Sequence, residues 1–295
     1  MKRLIYLFII LFHSWLYCYA ESGQRISVLD FGAIPDDGLD DSENIRKACE
    51  YCRDNKSTVL FFPPGLYNFR DSLALQIERE AISGVYGENV QGRLFKPDAP
   101  YVKALDLFGA ENLVVEAEGA ILLLEGWYEV VSIDKAREVT IKGLSIVYRR
   151  PPNSVGKITK LNEGSFDMQI DPERYFYLDK DVTGRVHYVD AMRERLYTGG
   201  RVSGKELLSK DMIRIYTDFR PSTGDFCVLR HSGHYRPAIM IKESSDIYIE
   251  GVKIHSQPGM GVVGHLSENI TLENLQVIPE AGMIISTNTD ATHFT

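Results

Sequence analysis

The chain has 295 residues, 44% of them apolar, 25% charged and 11% aromatic. Those are the proportions of a folded globular protein and exclude collagen, coiled coil and intrinsic disorder. Its 33 basic and 41 acidic residues leave a net charge of −8, and no run of Lys and Arg breaks that balance, which excludes a phosphate-tracking nucleic-acid partner.

Residues 1–20 stand apart from the rest of the chain. Lys2 and Arg3 precede an apolar run from Leu4 to Leu16, and Cys18-Tyr19-Ala20 sets small residues at the first and third positions before Glu21. This is the pattern of a secretory signal peptide, and the run falls short of the ~20 apolar residues that a membrane span needs. The expectation is export, with no membrane span after cleavage and 31 basic against 41 acidic residues in the mature chain. Cys49, Cys52 and Cys227 then remain, an odd number that speaks against a disulfide framework. Cys49 and Cys52 share a helical face with Ile45 and Ala48 and lack a second ligand pair for zinc, so they read as core.

In chain order, Ile26–Ala33 reads as a strand. Asp36-Asp37-Gly38 and Asp40-Asp41-Ser42 form turns and a helix cap ahead of a helical segment from Glu43 to Arg53. Val59–Phe62 reads as a buried strand, which Pro63-Pro64-Gly65 stops before Leu66–Phe69.

An internal repeat comes next. Segments starting at Asn112, Glu138, Asp246 and Asn269 share one template: a polar residue, an alternating strand, a small or amide residue at a corner, and a further strand. Ile247 to Ile270 is a step of 23 residues, as is Gly259-Met260 to Gly282-Met283. Coils of that length, made of short strands and bends, predict an all-β right-handed parallel β-helix, because each coil buries its inward residues only against its neighbours. The leucine-asparagine ladder of leucine-rich repeats is missing. From Pro151 to about Arg230 the period breaks into strand-like pieces, among them Lys157–Leu161, Phe166–Ile170 and Met212–Tyr216, which predict an inserted β-rich, barrel-like subdomain. The expected organisation is a short N-terminal capping helix and first coils over 21–150, the insertion over 151–230, and further coils over 231–295.

Leu29-Asp30-Phe31-Gly32-Ala33, Asp36-Asp37-Gly38, Asp40-Asp41 and Phe62-Pro63-Pro64-Gly65-Leu66-Tyr67 resemble the opening segment of pectate-lyase-type β-helix proteins that act on glycans. Leu229-Arg230-His231, Arg236-Pro237, Gly259-Met260-Gly261 and the closing Ser286-Thr287-Asn288-Thr289-Asp290-Ala291-Thr292-His293-Phe294 are similar to glycoside hydrolase family 110, the bacterial exo-α-1,3-galactosidases. That resemblance implies a β-helix with an inserted barrel. It also implies metal-independent, inverting hydrolysis of a terminal α-1,3-linked galactose on blood-group-B-type or linear glycans, in the periplasm or outside a bacterial cell. The family continues into further coils that carry more active-site carboxylates. Thr295 falls in mid-coil, so the chain is expected to be the N-terminal part of a longer protein.

Inversion needs a carboxylic acid and a carboxylate about 6.5–9.5 Å apart, and coils stacked at about 4.8 Å supply such spacings. Alignment at the Gly-Met pairs predicts a column of Lys242, His265 and Asn288, with Asp290 and His293 just beyond. Asp290, flanked by Thr289 and Thr292, resembles the family's catalytic-face aspartate and is the expected acid or base. No acidic residue of the preceding 23-residue coil joins the column, so its partner is expected past residue 295. His293, Asn288, His265, Lys242, Arg230 and Arg236 are candidates for sugar binding, and Trp127 and Tyr128 are either stacking platforms or core. No phosphate loop, H-E-x-x-H or Ser-His-Asp pattern occurs, so no nucleotide cofactor is expected, and the family resemblance implies that no metal or other cofactor takes part. The competing readings are a polygalacturonase-like hydrolase, which the acidic charge disfavours, and a noncatalytic glycan-binding β-helix.

Overall fold

The computed structural model describes residues 23–87, 89–174, 183–193, 195–231 and 235–295, so the signal-peptide expectation lies outside them. The first strand is shorter than its apolar pattern implies. Ser27 Oγ accepts from Leu29 N–H while Asp30 accepts from Ser27 N–H, a capping box that turns the chain into one 3₁₀ turn over Val28–Phe31 after only Gln24–Ser27. Helix α1 (Ser42–Asp54) then buries Ile45, Ala48, Cys49 and Cys52. The acidic residues before it act on backbone. Asp41 accepts from Ile34 N–H at 3.1 Å and Asn68 N–H at 2.9 Å, and Asp36 from Leu66 N–H at 3.0 Å, which ties the opening turns to the next coil. A second helix, α2 (Ser72–Ile82), is capped by Asp71, which accepts from Leu73 and Ala74 N–H.

The remainder winds through three parallel sheets in turn. The first contains Gln24–Ser27, Thr58–Phe61, Glu111–Glu116, Arg137–Lys142, Ser245–Glu250 and Glu268–Glu273. The second contains Gly65–Phe69, Ala120–Leu124, Ser145–Tyr148, Lys253–Ile254 and Gln276–Val277. The third contains Val102–Asp106, Tyr128–Asp134, Ile239–Lys242, Val262–His265 and Thr292–Phe294. In the first sheet the 23-residue repeat is the pairing register itself: Ile247 sits beside Ile270 on one side and Val139 on the other. The inward residues form one continuous apolar core. The polar residue that opens each repeat has a backbone reason. Asn112, Glu138, Asp246 and Asn269 take φ of 53°, 55°, 58° and 55°, the left-handed bend in which polar side chains are enriched, and Asn269 donates to Asp246 at 3.0 Å across the rung.

The three corners differ. Links from the first to the second sheet and from the third to the first take two to four residues; apart from the α1 stretch between the first two strands of the first sheet, the long insertions fall between the second and third sheets. One is the α2 segment before Val102, another is the stretch before Thr292, and the largest is the barrel. Its six antiparallel strands, Asn153–Asn162, Ser165–Ile170, Thr183–Val189, Leu196–Ser209, Met212–Thr217 and Phe226–His231, close completely, which leaves no unpaired edge. Phe166, Met168, Tyr188, Ile213 and Leu229 fill a core separate from that of the coils. Among the described residues no helix is long and apolar enough to cross a membrane.

Candidate active site

The third sheet sets the geometry, because three of the long insertions, the barrel among them, lead directly into its strands. Lys242 and His265 stand side by side, with Asp134 on the rung before them. Asn288 does not extend that column. From Val262 to its partner Thr292 the chain takes 30 residues, seven more than the earlier step, and the excess goes into the turn before Thr292. Gly282-Met283 consequently does not stack on Gly259-Met260, and Met283 turns into the barrel core. Thr295 completes the column instead, with its Oγ1 3.0 Å from His265 Nδ1.

Asp290 and His293 do come together, Oδ2 to Nδ1 at 3.1 Å, both about half exposed. The rung that carries them depends on close backbone approach. Gly261 N–H donates to Asp290 O at 2.9 Å, and a Cβ on Gly261 would lie 2.2 Å from Ala291 O. Gly259 is equally confined, 2.4 Å from Tyr235 O, which accounts for the Gly-Met-Gly spacing. By the same register Asp290 lies level with Met260, Pro237 and then Glu129. Glu129 is three rungs away, about 14 Å at the usual strand spacing, too far to form an inverting pair with Asp290.

The cationic candidates are engaged with protein groups. Arg230 Nε donates to Asn288 Oδ1 at 3.2 Å, and its Nη2 donates to Asn288 O. Lys242 pairs with Glu243 at 3.1 Å and lies 4.0 Å from Asp134, and the Glu243 carboxylate holds its ammonium above the ordinary lysine value. Arg236 Nη1 lies 3.6 Å from buried Glu129, its Nη2 donates to Leu94 O, and its guanidinium covers the Tyr101 ring at 3.6 Å. Burial pushes the Glu129 carboxyl above its usual range, although Ser132, Arg236 and Lys103 oppose the shift. Trp127 and Tyr128 are fully buried and so are not sugar platforms. Trp127 stacks on Tyr235 at 4.2 Å, whose hydroxyl donates to Glu78 and accepts from Arg150 Nη1. The side chain of His231 lies outside the described residues.

Glu129 and the Glu78–Tyr235–Arg150 chain escape a sequence reading. Their one signal is a lone acid within the apolar run Tyr128–Ile133. Among the described residues no cluster of three or more metal-ligating side chains occurs. Two hollows, one of about 700 Å³ beside Lys135, Glu243, Leu266 and Thr295 and one of about 590 Å³ under Tyr86, Arg93 and Lys96, do not include Asp290.

No family model matches the chain. It is 24% identical over 299 residues to alpha-1,3-galactosidase B of Bacteroides thetaiotaomicron, covering 92% of this chain and 47% of that protein. It is 23% identical over 300 residues to alpha-1,3-galactosidase A of Shewanella woodyi, again with 92% and 47% covered. The chain thus spans about half the length of these curated relatives. Among solved structures, the family 28 exopolygalacturonase of Yersinia enterocolitica overlaps with a TM-score of 0.42 at 12% identity, covering 92% of this chain and 41% of that one.

Proposed function

We propose that the chain is the Asp290-bearing part of an exported glycoside hydrolase of family 110, which releases a terminal α-1,3-linked galactose with inversion and without metal. The observation that carries this reading is likeness along 92% of the chain to proteins named alpha-1,3-galactosidase. The coils are read as right-handed, the hand that parallel strand crossovers take. Asp290, exposed beside His293, acts as the acid or base, and His293 and His265 meet sugar hydroxyls. In a protein of the relatives' length, the partner carboxylate would stand on a coil stacked on the Thr292–Phe294 rung, one or two steps of about 4.8 Å away.

The test is galactose release from a terminal α-1,3-galactoside, by this chain and by the complete encoded product, with the first-formed anomer read by NMR. The proposal expects β-galactose, no activity on polygalacturonate, and a loss of about 10²–10⁴-fold in Asp290→Asn. Binding of the glycan without turnover by the complete product, unchanged in Asp290→Asn, would favour a noncatalytic module.

A further inference from the structure

The stretch that leads to Asp290 belongs to the barrel as much as to the coils. Met283 is 6% exposed within the barrel's apolar core, and Ile284 and Ile285 pack against it. Three barrel-segment side chains grip the same stretch by its backbone. Arg174 Nη1 donates to Ala281 O at 2.9 Å, and its Nη2 lies 3.6 Å from Glu280. Asn153 Nδ2, on the first barrel strand, donates to Ile285 O at 3.1 Å. Arg230, on the last, takes both the side-chain and the main-chain oxygen of Asn288. Burial ends there: Ser286, Thr287 and Asn288 are buried, while Thr289 and Asp290 are exposed. On the far side, Asn288 N–H donates to Gly259 O at 3.0 Å and Gly261 N–H to Asp290 O at 2.9 Å, which fastens the segment to the coil below.

We propose that the barrel serves as a clamp that orients the Asp290 rung, with Arg230 as its positioning residue acting through Asn288 rather than through sugar. A planar guanidinium fits the role, since its fixed fork addresses two oxygens at once. An arginine that holds both oxygens of Asn288, two residues before Asp290, leaves the carboxylate one short exposed step in which to move. The catalytic consequence rests on Asp290 being the acid or base, whereas the clamp itself does not.

Hydrogen–deuterium exchange tests the clamp without need of turnover. In Arg230→Gln, amides of Glu280–Thr292 and Gly261 should exchange at least about 10-fold faster while the barrel strands and the first sheet stay within about 2-fold, the pattern of a local opening. Arg230→Lys, whose ammonium reaches one oxygen, should fall between. The double variant Arg230→Gln/Asn288→Ala should loosen the segment by less than the two single effects combined, because both remove the Nε–Oδ1 bond, whereas the bonds of Arg230 Nη2 to Asn288 O and of Asn288 Nδ2 to Pro258 O each belong to one variant. Unchanged exchange in Arg230→Gln, loosening spread equally over the barrel, or additive effects in the double variant would overturn the proposal. In a product that releases galactose, Arg230→Lys should lower kcat and leave KM within about 2-fold, the signature of a lost transition-state arrangement. A KM rise alone would make Arg230 a sugar ligand and overturn the positioning role. If the wild type releases no galactose, the catalytic reading of Asp290 falls, and exchange still decides the clamp.

Discussion

Replacing Arg236 with Met would remove a partly buried charge while its unbranched side chain keeps much of the packing along Tyr101. Glu129, beneath it, is 3% exposed and has Arg236 3.6 Å away. Leaving a buried carboxylate without its cation costs about 3–5 kcal/mol. The loss must depend on pH. Burial already raises the Glu129 carboxyl, with Asp106 adding to the rise and Ser132, Arg236 and Lys103 opposing it. The native state therefore binds the proton more tightly than the unfolded chain does, and stability falls as pH rises through the raised native value. Without Arg236 that value climbs further and the fall extends over more of the pH range. Urea unfolding should show Arg236→Met about 3 kcal/mol below wild type near pH 7.5, the deficit shrinking toward pH 5 by at most about 1.4 kcal/mol per pH unit. Adding Glu129→Gln should restore most of it, because an amide costs less to bury than an unpaired charge. An equal deficit at both pH values, or additive losses in the double variant, would refute the assignment.

Gly261→Ala would set a Cβ 2.2 Å from Ala291 O. It should cost about 1–3 kcal/mol by forcing the last rung apart, read in a thermal melt, whereas Gly204→Ala, 3.5 Å from Tyr216, should stay within about 0.5 kcal/mol; equal effects would remove the packing reason for the Gly-Met-Gly motif. Cys49, Cys52 and Cys227 are buried and free, and burial pushes the Cys52 thiol up to about 12 and the other two higher still. A thiol reagent near pH 8 should label none of the three until urea is added, because the thiolate is the nucleophile; mapped labelling in the native state would contradict their burial. Tyr235→Phe keeps the stack on Trp127 and loses the hydroxyl bonds to Glu78 and Arg150. It should lower the unfolding free energy by about 1–3 kcal/mol, and an unchanged urea midpoint would show that the buried network contributes nothing.

What the amino-acid sequence determined by itself is whatever repeats locally. Sidedness and a 23-residue step are enough to pair Ile247 with Ile270 and Lys242 with His265, since a parallel coil buries its inward residues only in register with the next. The same locality made α1 and its Cys49–Cys52 face legible. Where a cap overrode the apolar pattern, as Ser27 and Asp30 did, the strand ended early. The closing motif brought Asp290 and His293 within reach of each other because they are three residues apart. Other features were decided only in three dimensions. The last step lengthened to 30 residues because the extra chain is anchored in the barrel core by Met283, and that displaced Asn288 from the His265 column. Arg230 met Asn288 across 58 residues, and Tyr235 met Glu78 across 157. Such contacts carry no periodic signature: they arise where a closed barrel and a stacked coil press together, and only the folded chain sets that distance.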